Sequence, residues 1–213
     1  YKMYTYTINK IIIFINYSNN KMSILQFEQL LPEKLGEHNP EEVEELIIDG
    51  LLKVPVFTEE HKRVLEHYNN LVHLSMNDLG LEQLDNFPKL PLLETLELSN
   101  NKLKCEDLNL IIPLYPKLYK IKLSHNTIEK KEVLTPLNSS TVEKIEIRDN
   151  PFVKGENYRE EIFDILPNIV IVDDQTKSGQ EVDTTHYDEE EEEYIYEDEY
   201  RDEKEDDYND DDD

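Results

Sequence analysis

A recurring spacing of apolar residues constrains this chain more than any other feature. In each unit, apolar residues stand at positions 1, 4 and 6, the last four units add an apolar residue at position 11, and the last three carry asparagine at position 9. The unit from Leu93 to Leu103 shows the full pattern, L-x-x-L-x-L-x-x-N-x-L. The five units begin at Val43, Leu71, Leu93, Leu118 and Val142, with spacings of 28, 22, 25 and 24 residues. Five matching units make the repeat a strong signal.

These spacings fall within the roughly 20–29-residue period of leucine-rich repeats. Positions 4 and 6 alternate along a short strand, so both side chains point into the core. One unit cannot bury its own core, whereas stacked units can. The sequence therefore predicts an α/β fold, a leucine-rich repeat solenoid of five repeats within a domain spanning residues 23–176.

Asparagine at position 9 suits the point where each strand ends, since its amide can bond backbone groups of neighbouring turns. Asn101, Asn126 and Asn150 are accordingly expected to be structural. Repeat arrays also need capped ends. Helical spacing over residues 23–31, followed by a helix start at Asn39-Pro40, predicts an N-terminal helical cap. The segment from Asn157 to Asp173 predicts a C-terminal cap in which a helix ends at Pro167 and a final strand follows.

The two ends of the chain differ from the repeats in composition. Residues 1–22 are dominated by Tyr, Lys, Ile and Asn, and are interpreted as a low-complexity extension ahead of a biological start at Met22. Residues 177–213 are predicted to be a disordered polyacidic tail. The tail's final 26 residues, from Asp188, hold 18 acids and 2 bases. Two interpretations stay open: a solubilising tail, or a docking segment for basic partners that includes Glu189, Glu190, Glu191, Glu192 and Glu193.

The acidity limits the partners that the chain can have. The formal net charge is −27, which disfavours direct nucleic-acid binding because phosphates are repelled. It favours basic partners instead. The longest apolar run, Ile11 to Ile15, is far shorter than a membrane span of about 20 residues. We therefore expect no membrane association. The chain is also expected to be a monomer.

Residues with catalytic potential are few. The sequence contains no glycine-rich phosphate loop and no His-Glu-x-x-His motif. His61 and His67 are six residues apart, hence on different faces of a helix, and are expected at the surface. Cys105 is interpreted as a plain thiol because no partner base is evident. The sequence predicts no cofactor, no metal site and no enzymatic activity.

The odd strand positions are predicted to face solvent on the concave side of the solenoid. Acids dominate this face in the first three repeats, and bases dominate it in the last two. It is either an ordinary solvated sheet or a partner footprint with an acidic and a basic end. The candidate partner-binding residues are Glu45, Asp49, His73, Glu97, Lys120, Lys122, Lys144, Glu146 and Arg148.

The order of parts resembles the acidic leucine-rich nuclear phosphoprotein family. It comprises a helical cap, five repeats, the Tyr158-Arg159…Phe163…Leu166-Pro167…Asp173 cap and a polyacidic tail. The resemblance implies binding to core histones, chaperone-like masking of histone tails, inhibition of type-2A protein phosphatase, and a nuclear or shuttling location. The alternative is a scaffold that grips a partner in its concave groove, as spliceosomal leucine-rich proteins do. Thr185, with Asp188 three residues on, is the predicted phosphorylation site.

Overall fold

The computed structural model describes residues 39–50, 53–155 and 157–182, together with the backbone of 6–7 and 10–11. Strands β1 (Tyr6–Thr7) and β2 (Lys10–Ile11) pair antiparallel. The predicted N-terminal helix at 23–31, residue Thr185 and the acids at 189–193 lie outside the described residues.

A seven-stranded sheet follows the order of its strands in the sequence. Neighbouring strands from β3 to β8 are parallel, and β9 is antiparallel to β8. The strands are β3 (Glu45–Ile47), β4 (His73–Ser75), β5 (Thr95–Glu97), β6 (Lys120–Lys122), β7 (Lys144–Glu146), β8 (Ile171–Val172) and β9 (Gln175–Thr176). In strands β3 to β7, positions 3, 4 and 5 of successive units pair with one another, which is the register that the repeat predicts.

Short helices lie in the segments that connect the strands. The α-helices are α1 (Glu59–Leu65), α2 (Leu108–Ile111) and α3 (Tyr158–Ile165). The 3-10 helices are Pro40–Glu42, Ile112–Leu114 and Lys131–Ser139. Helix α3 and strand β8 stand where the sequence predicted the closing helix and strand.

One hydrophobic core runs through all five repeats. Every residue at positions 1, 4 and 6 is at most 1% exposed, as stacked units require. At position 11, Leu103 and Ile128 are buried, and Phe152 packs partly buried against the core. The inward alternation predicted from the sequence is therefore confirmed.

The asparagines at position 9 tie each repeat to the one before it. Asn126 illustrates the arrangement: its Oδ1 accepts from the Leu103 amide at 2.9 Å, and its Nδ2 donates to the carbonyls of Leu98 and Leu123. Asn101 and Asn150 make equivalent bonds one repeat earlier and later. All three side chains are buried, so the predicted structural role is confirmed.

The residue at position 8, just before the asparagine, adopts a left-handed backbone in every repeat. These residues are Gly50, Asp78, Asn100, His125 and Asp149, with φ between 54° and 63°. Glycine, asparagine, aspartate and histidine tolerate this region better than branched residues do. Position 8 therefore turns the chain away from the sheet and leaves His125 exposed.

The expectation that His61 lies at the surface is wrong, because His61 is only 2% exposed. It is the third residue of α1 and forms a reciprocal capping box with Thr58, the residue that caps the helix. Its ring also lies 5.4 Å from the Phe57 ring, centroid to centroid. Helical spacing alone reports which face a residue lies on, but not that its side chain folds back to cap its own helix. His67 is exposed, as predicted.

The described chain continues past β8 through a hairpin to residue 182, beyond the predicted start of the tail at residue 177. Asp173 and Asp174, both with positive φ, make a two-residue hairpin turn of the I′ type between β8 and β9. Beyond β9, the Gly179 amide bonds the Thr176 carbonyl, and Glu181 bridges to Gln175. Strand β9 thus covers the edge of β8, which would otherwise be left unpaired.

Candidate functional site: the polar face of the sheet

The side of the sheet opposite the core carries the predicted partner-binding residues and is called the polar face below. Strands β3 to β7 place these side chains in rows because position 3 pairs with position 3, and position 5 with position 5. Six of the predicted side chains form one chain of ion pairs across the five strands. In spatial order they are Glu45, His73, Glu97, Lys122, Glu146 and Lys120.

His73 connects the first three strands. Its Nδ1 lies 2.7 Å from Oε1 of Glu45, and its Nε2 lies 3.2 Å from Oε1 of Glu97. Burial by itself lowers the pKa of His73, but the hydrogen bonds to the two carboxylates outweigh it and raise the pKa from 6.5 to about 8. His73 is therefore mostly protonated at neutral pH. His73 therefore supplies a cation to the first three repeats, where the sequence predicted an acidic end of the face without a base.

Glu97 is bonded by three side chains of the polar face. Burial raises its pKa, but hydrogen bonds from His73, Lys122 and Asn77 reverse the effect and lower the pKa from 4.5 to about 2. Lys122 lies 2.9 Å from Glu97 and 3.8 Å from Glu146. Glu97 stays ionised at any physiological pH and joins the predicted acidic and basic ends.

Lys120 is the most deeply buried cation of the face, with 7% of its side chain exposed. Its ammonium lies 3.0 Å from Glu146. Removing Glu146 would deprive this buried ammonium of a carboxylate and be destabilising, whereas removing Lys120 would leave Glu146 with Lys122. A partner protein therefore meets Lys120 as part of a fixed pair and not as a free positive charge.

Two groups of bonds flank the ion-pair chain. At one end, Asp49 accepts from the Ser75 hydroxyl at 2.7 Å and from the Asn77 amide at 2.8 Å. At the other end, Arg148 donates to Asp174 at 2.8 Å. Close by, the Lys144 ammonium lies 4.9 Å from the centroid of the Tyr119 ring. All nine predicted residues thus lie on the face, each held by a neighbour.

Four further residues complete this arrangement. The repeat frame predicts Ser75 and Asn77 on the face, at positions 5 and 7 of the second repeat, although they were not counted among the partner-binding residues. Sequence reasoning missed Tyr119 and Asp174, which lie outside those positions. For Asp174 the signal was the Asp-Asp pair between apolar Val172 and polar Gln175, a pattern typical of a tight turn.

The polar face offers ionic and hydrogen-bonding groups. Among the described residues, no group of three or more His, Cys, Asp or Glu side chains is placed to hold a metal ion. Burial raises the pKa of the Cys105 thiol to about 12, so this thiol stays protonated and is a poor nucleophile. In the parts of the chain that the structure describes, no helix has the length and apolar character of a membrane span.

Comparison with known proteins agrees with the leucine-rich repeat fold described above. A family model described as leucine-rich repeat matches residues 38–193. The chain belongs to the leucine-rich repeat family. Its fold and family are those of scaffolds that bind proteins.

Individual curated relatives show which leucine-rich repeat proteins this chain is similar to. An acidic leucine-rich nuclear phosphoprotein 32-related protein of Plasmodium falciparum is 35% identical over 69% of this chain and 53% of its own length. Acidic leucine-rich nuclear phosphoprotein 32 family member A of Drosophila melanogaster is 36% identical over 55% and 44%. A protein of Tetrahymena thermophila that is named as a histone is 30% identical over 73% and 40%. The resemblance inferred from the sequence is confirmed, and the chain spans about half or less of each relative's length.

Proposed function

We propose that the chain is a non-enzymatic regulator that binds core histones, with its acidic tail as the main attractive element. The observation that carries this proposal is the pairing of the cations on the polar face. Lys120, Lys122 and Arg148 are each held by carboxylates of the same face. The repeats therefore present little unpaired positive charge there. The net charge of −27 is left as the dominant feature, and it favours basic partners.

The names of the relatives support the same proposal. Two are named as acidic leucine-rich nuclear phosphoproteins, and one is named as a histone. We therefore propose a nuclear location, with shuttling, which imaging of a fluorescent fusion in live cells tests. Masking of histone tails would follow from the binding itself, because a polyanion bound to a basic tail blocks access to its lysines.

The decisive experiment neutralises charge in two places of the full chain. The tail variant replaces the five glutamates at 189–193 with glutamine. The matched control removes five exposed acids of the repeats: Asp85→Asn, Glu106→Gln, Glu129→Gln, Glu132→Gln and Glu160→Gln. Both variants lose the same charge. If the tail attracts histones, the tail variant weakens binding to core histones more than the control does, and equal weakening contradicts the proposal.

Salt provides a second test of the electrostatic origin. The Debye length falls from about 10 Å at 0.1 M salt to about 3 Å at 1 M. Histone affinity should therefore drop steeply over this range. An affinity that is the same at both concentrations would show that the tail charge does not drive binding.

A groove-binding scaffold is the second candidate, and the continuous ion-pair chain on the polar face favours it. Such a platform is pre-organised for one partner because each charge is already fixed in place. Lys144 is half-buried at the rim, so Lys144→Glu should disturb a groove partner without opening the core. A partner lost with Lys144→Glu but retained by the tail variant would indicate this function.

Two further activities implied by the resemblance are proposals of the same kind. Inhibition of type-2A protein phosphatase is tested by adding the chain to purified enzyme and a phosphopeptide. Phosphorylation at Thr185 is tested by intact-mass analysis. Each phosphate would add about 1.5–2 negative charges and deepen the acidity of the tail.

A further inference from the structure

A second row of side chains runs along the edge of the sheet where the strands begin. One residue stands directly before each strand from β3 to β8. From the second residue onward, each amide donates to the carbonyl of the preceding residue in the row, at 2.8–2.9 Å. We call these six residues the strand-start row: Glu44, Val72, Glu94, Tyr119, Glu143 and Val170.

The chemistry of the strand-start row alternates. Glu44, Glu94 and Glu143 occupy every second place, and an aliphatic or aromatic residue lies between them. All three carboxylates are exposed, and none has a hydrogen-bond or ion-pair partner within the described residues. They differ in this respect from the carboxylates of the polar face, which are bonded within the sheet.

The apolar members are also accessible. Val170 is 47% exposed and is one of two large hydrophobic residues in the described chain that are strongly exposed. Val72 and Tyr119 are half-buried. The Lys144 ammonium covers one face of the Tyr119 ring, so a partner would contact the remainder of that ring. The row thus offers apolar contact and negative charge in strict alternation.

The spacing of the row indicates which backbone conformation a partner would have. Neighbouring strands lie about 4.8 Å apart, which separates successive carboxylates by about 9.6 Å. A single metal ion cannot bridge that distance, since its oxygen ligands lie only about 2.6 Å away. A polyproline II helix repeats its face every three residues, about 9.3 Å, and closely matches the row. Two turns of an α-helix span about 10.8 Å, and the same-face spacing of a β-strand is about 6.7 Å.

We propose that the strand-start row is a docking surface for a basic, proline-rich segment in the polyproline II conformation. Cations at every third residue face Glu44, Glu94 and Glu143. The intervening proline rings pack on Val72, Tyr119 and Val170, as proline-rich ligands pack on apolar and aromatic surfaces. The row is about 24 Å long, which corresponds to about eight residues of partner. The acidic tail is a separate part of the chain, so this proposal and the histone proposal can fail independently.

The test uses the full chain and two peptides of identical composition. One peptide has four Lys-Pro-Pro repeats, and the other has four lysines followed by eight prolines. The row variant is Glu94→Gln with Glu143→Gln, and the matched control is Glu129→Gln with Glu160→Gln, two exposed acids outside the row. Titration calorimetry at low salt gives the affinities. The row variant is expected to bind the repeating peptide about fivefold to tenfold more weakly, given the strength of two exposed ion pairs.

The control variant should bind the repeating peptide nearly as the native chain does, and the clustered peptide should not distinguish the two variants. Val170→Asn should weaken only the repeating peptide, since it removes an apolar contact without changing charge. Equal weakening by the row and control variants would overturn the proposal and leave the histone proposal standing. Equal affinity for a helical peptide with lysines seven residues apart would overturn the polyproline II assignment.

Discussion

Tyr158 donates a 2.8 Å hydrogen bond from its hydroxyl to Oδ2 of Asp173, whose side chain is completely buried. The other carboxylate oxygen accepts from the Ile147 amide at 2.7 Å. Asp173 therefore serves the C-terminal cap as the buried asparagines serve the last three repeats, by accepting a backbone donor of the preceding turn. Burial, together with the bond to Asp173, raises the pKa of Tyr158 to about 12, so the hydroxyl remains a donor.

Replacing Tyr158 with phenylalanine should destabilise the chain. The change removes a donor from a buried carboxylate, and a charged acceptor left short of a partner costs about 1–3 kcal/mol. Urea unfolding should show a lower midpoint with an unchanged slope. Tyr115→Phe is the matched control, because the Tyr115 hydroxyl is buried without a hydrogen-bond partner among the described residues. The control should be neutral or stabilising, and equal losses for both variants would refute the assignment.

Asn126→Ala should cost more than any exposed asparagine substitution. It leaves the buried amide of Leu103 without an acceptor, at about 1–3 kcal/mol, whereas the carbonyls of Leu98 and Leu123 keep the donors of Asn101 and Asn150. We expect a total loss of about 1–3 kcal/mol in the free energy of unfolding. Asn69→Ala, at an exposed site, is the control and should change stability by less than about 0.5 kcal/mol.

Stability should fall as the pH rises through the titration of His73. The folded-state pKa of about 8 lies above the unfolded value of 6.5, so the stabilisation is complete below pH 6.5 and is lost above about pH 8. The difference corresponds to about 2 kcal/mol. His73→Gln should remove this loss, whereas His67→Gln at an exposed site should retain it. An imidazole that titrates at or below 6.5 by NMR would contradict the expectation.

Cys105 should resist thiol reagents in the native chain. Its side chain is buried, and burial raises its pKa to about 12, so almost no thiolate exists at pH 8. Reaction with a disulfide reagent should be slow in buffer and rapid in concentrated urea. Rapid stoichiometric labelling of the folded chain would mean that the thiol is accessible and that this part of the core opens readily.

The repeat could be predicted from the sequence because its signal is periodic and local. Positions 1, 4 and 6 must be apolar in every unit if stacked turns share a core, and all fifteen are buried. The role of position 9 was equally predictable because only a short amide can bond backbone groups of two turns. His61 was misjudged for the opposite reason, since its burial depends on the capping box with Thr58 and on contact with the Phe57 ring.

The sequence alone determined the leucine-rich fold, the strand register, the structural asparagines and the set of residues on the polar face. Tertiary structure decided how those residues are used. Whether Lys122 is a free cation or a bridge depends on the lateral distance to Glu97 and Glu146, which are 25 and 24 residues away in the chain. Likewise, His73 becomes a cation only because β3 and β5 bring two carboxylates to its ring. Periodicity fixes which side of a strand a residue faces, whereas charge state depends on neighbours that only stacking brings together.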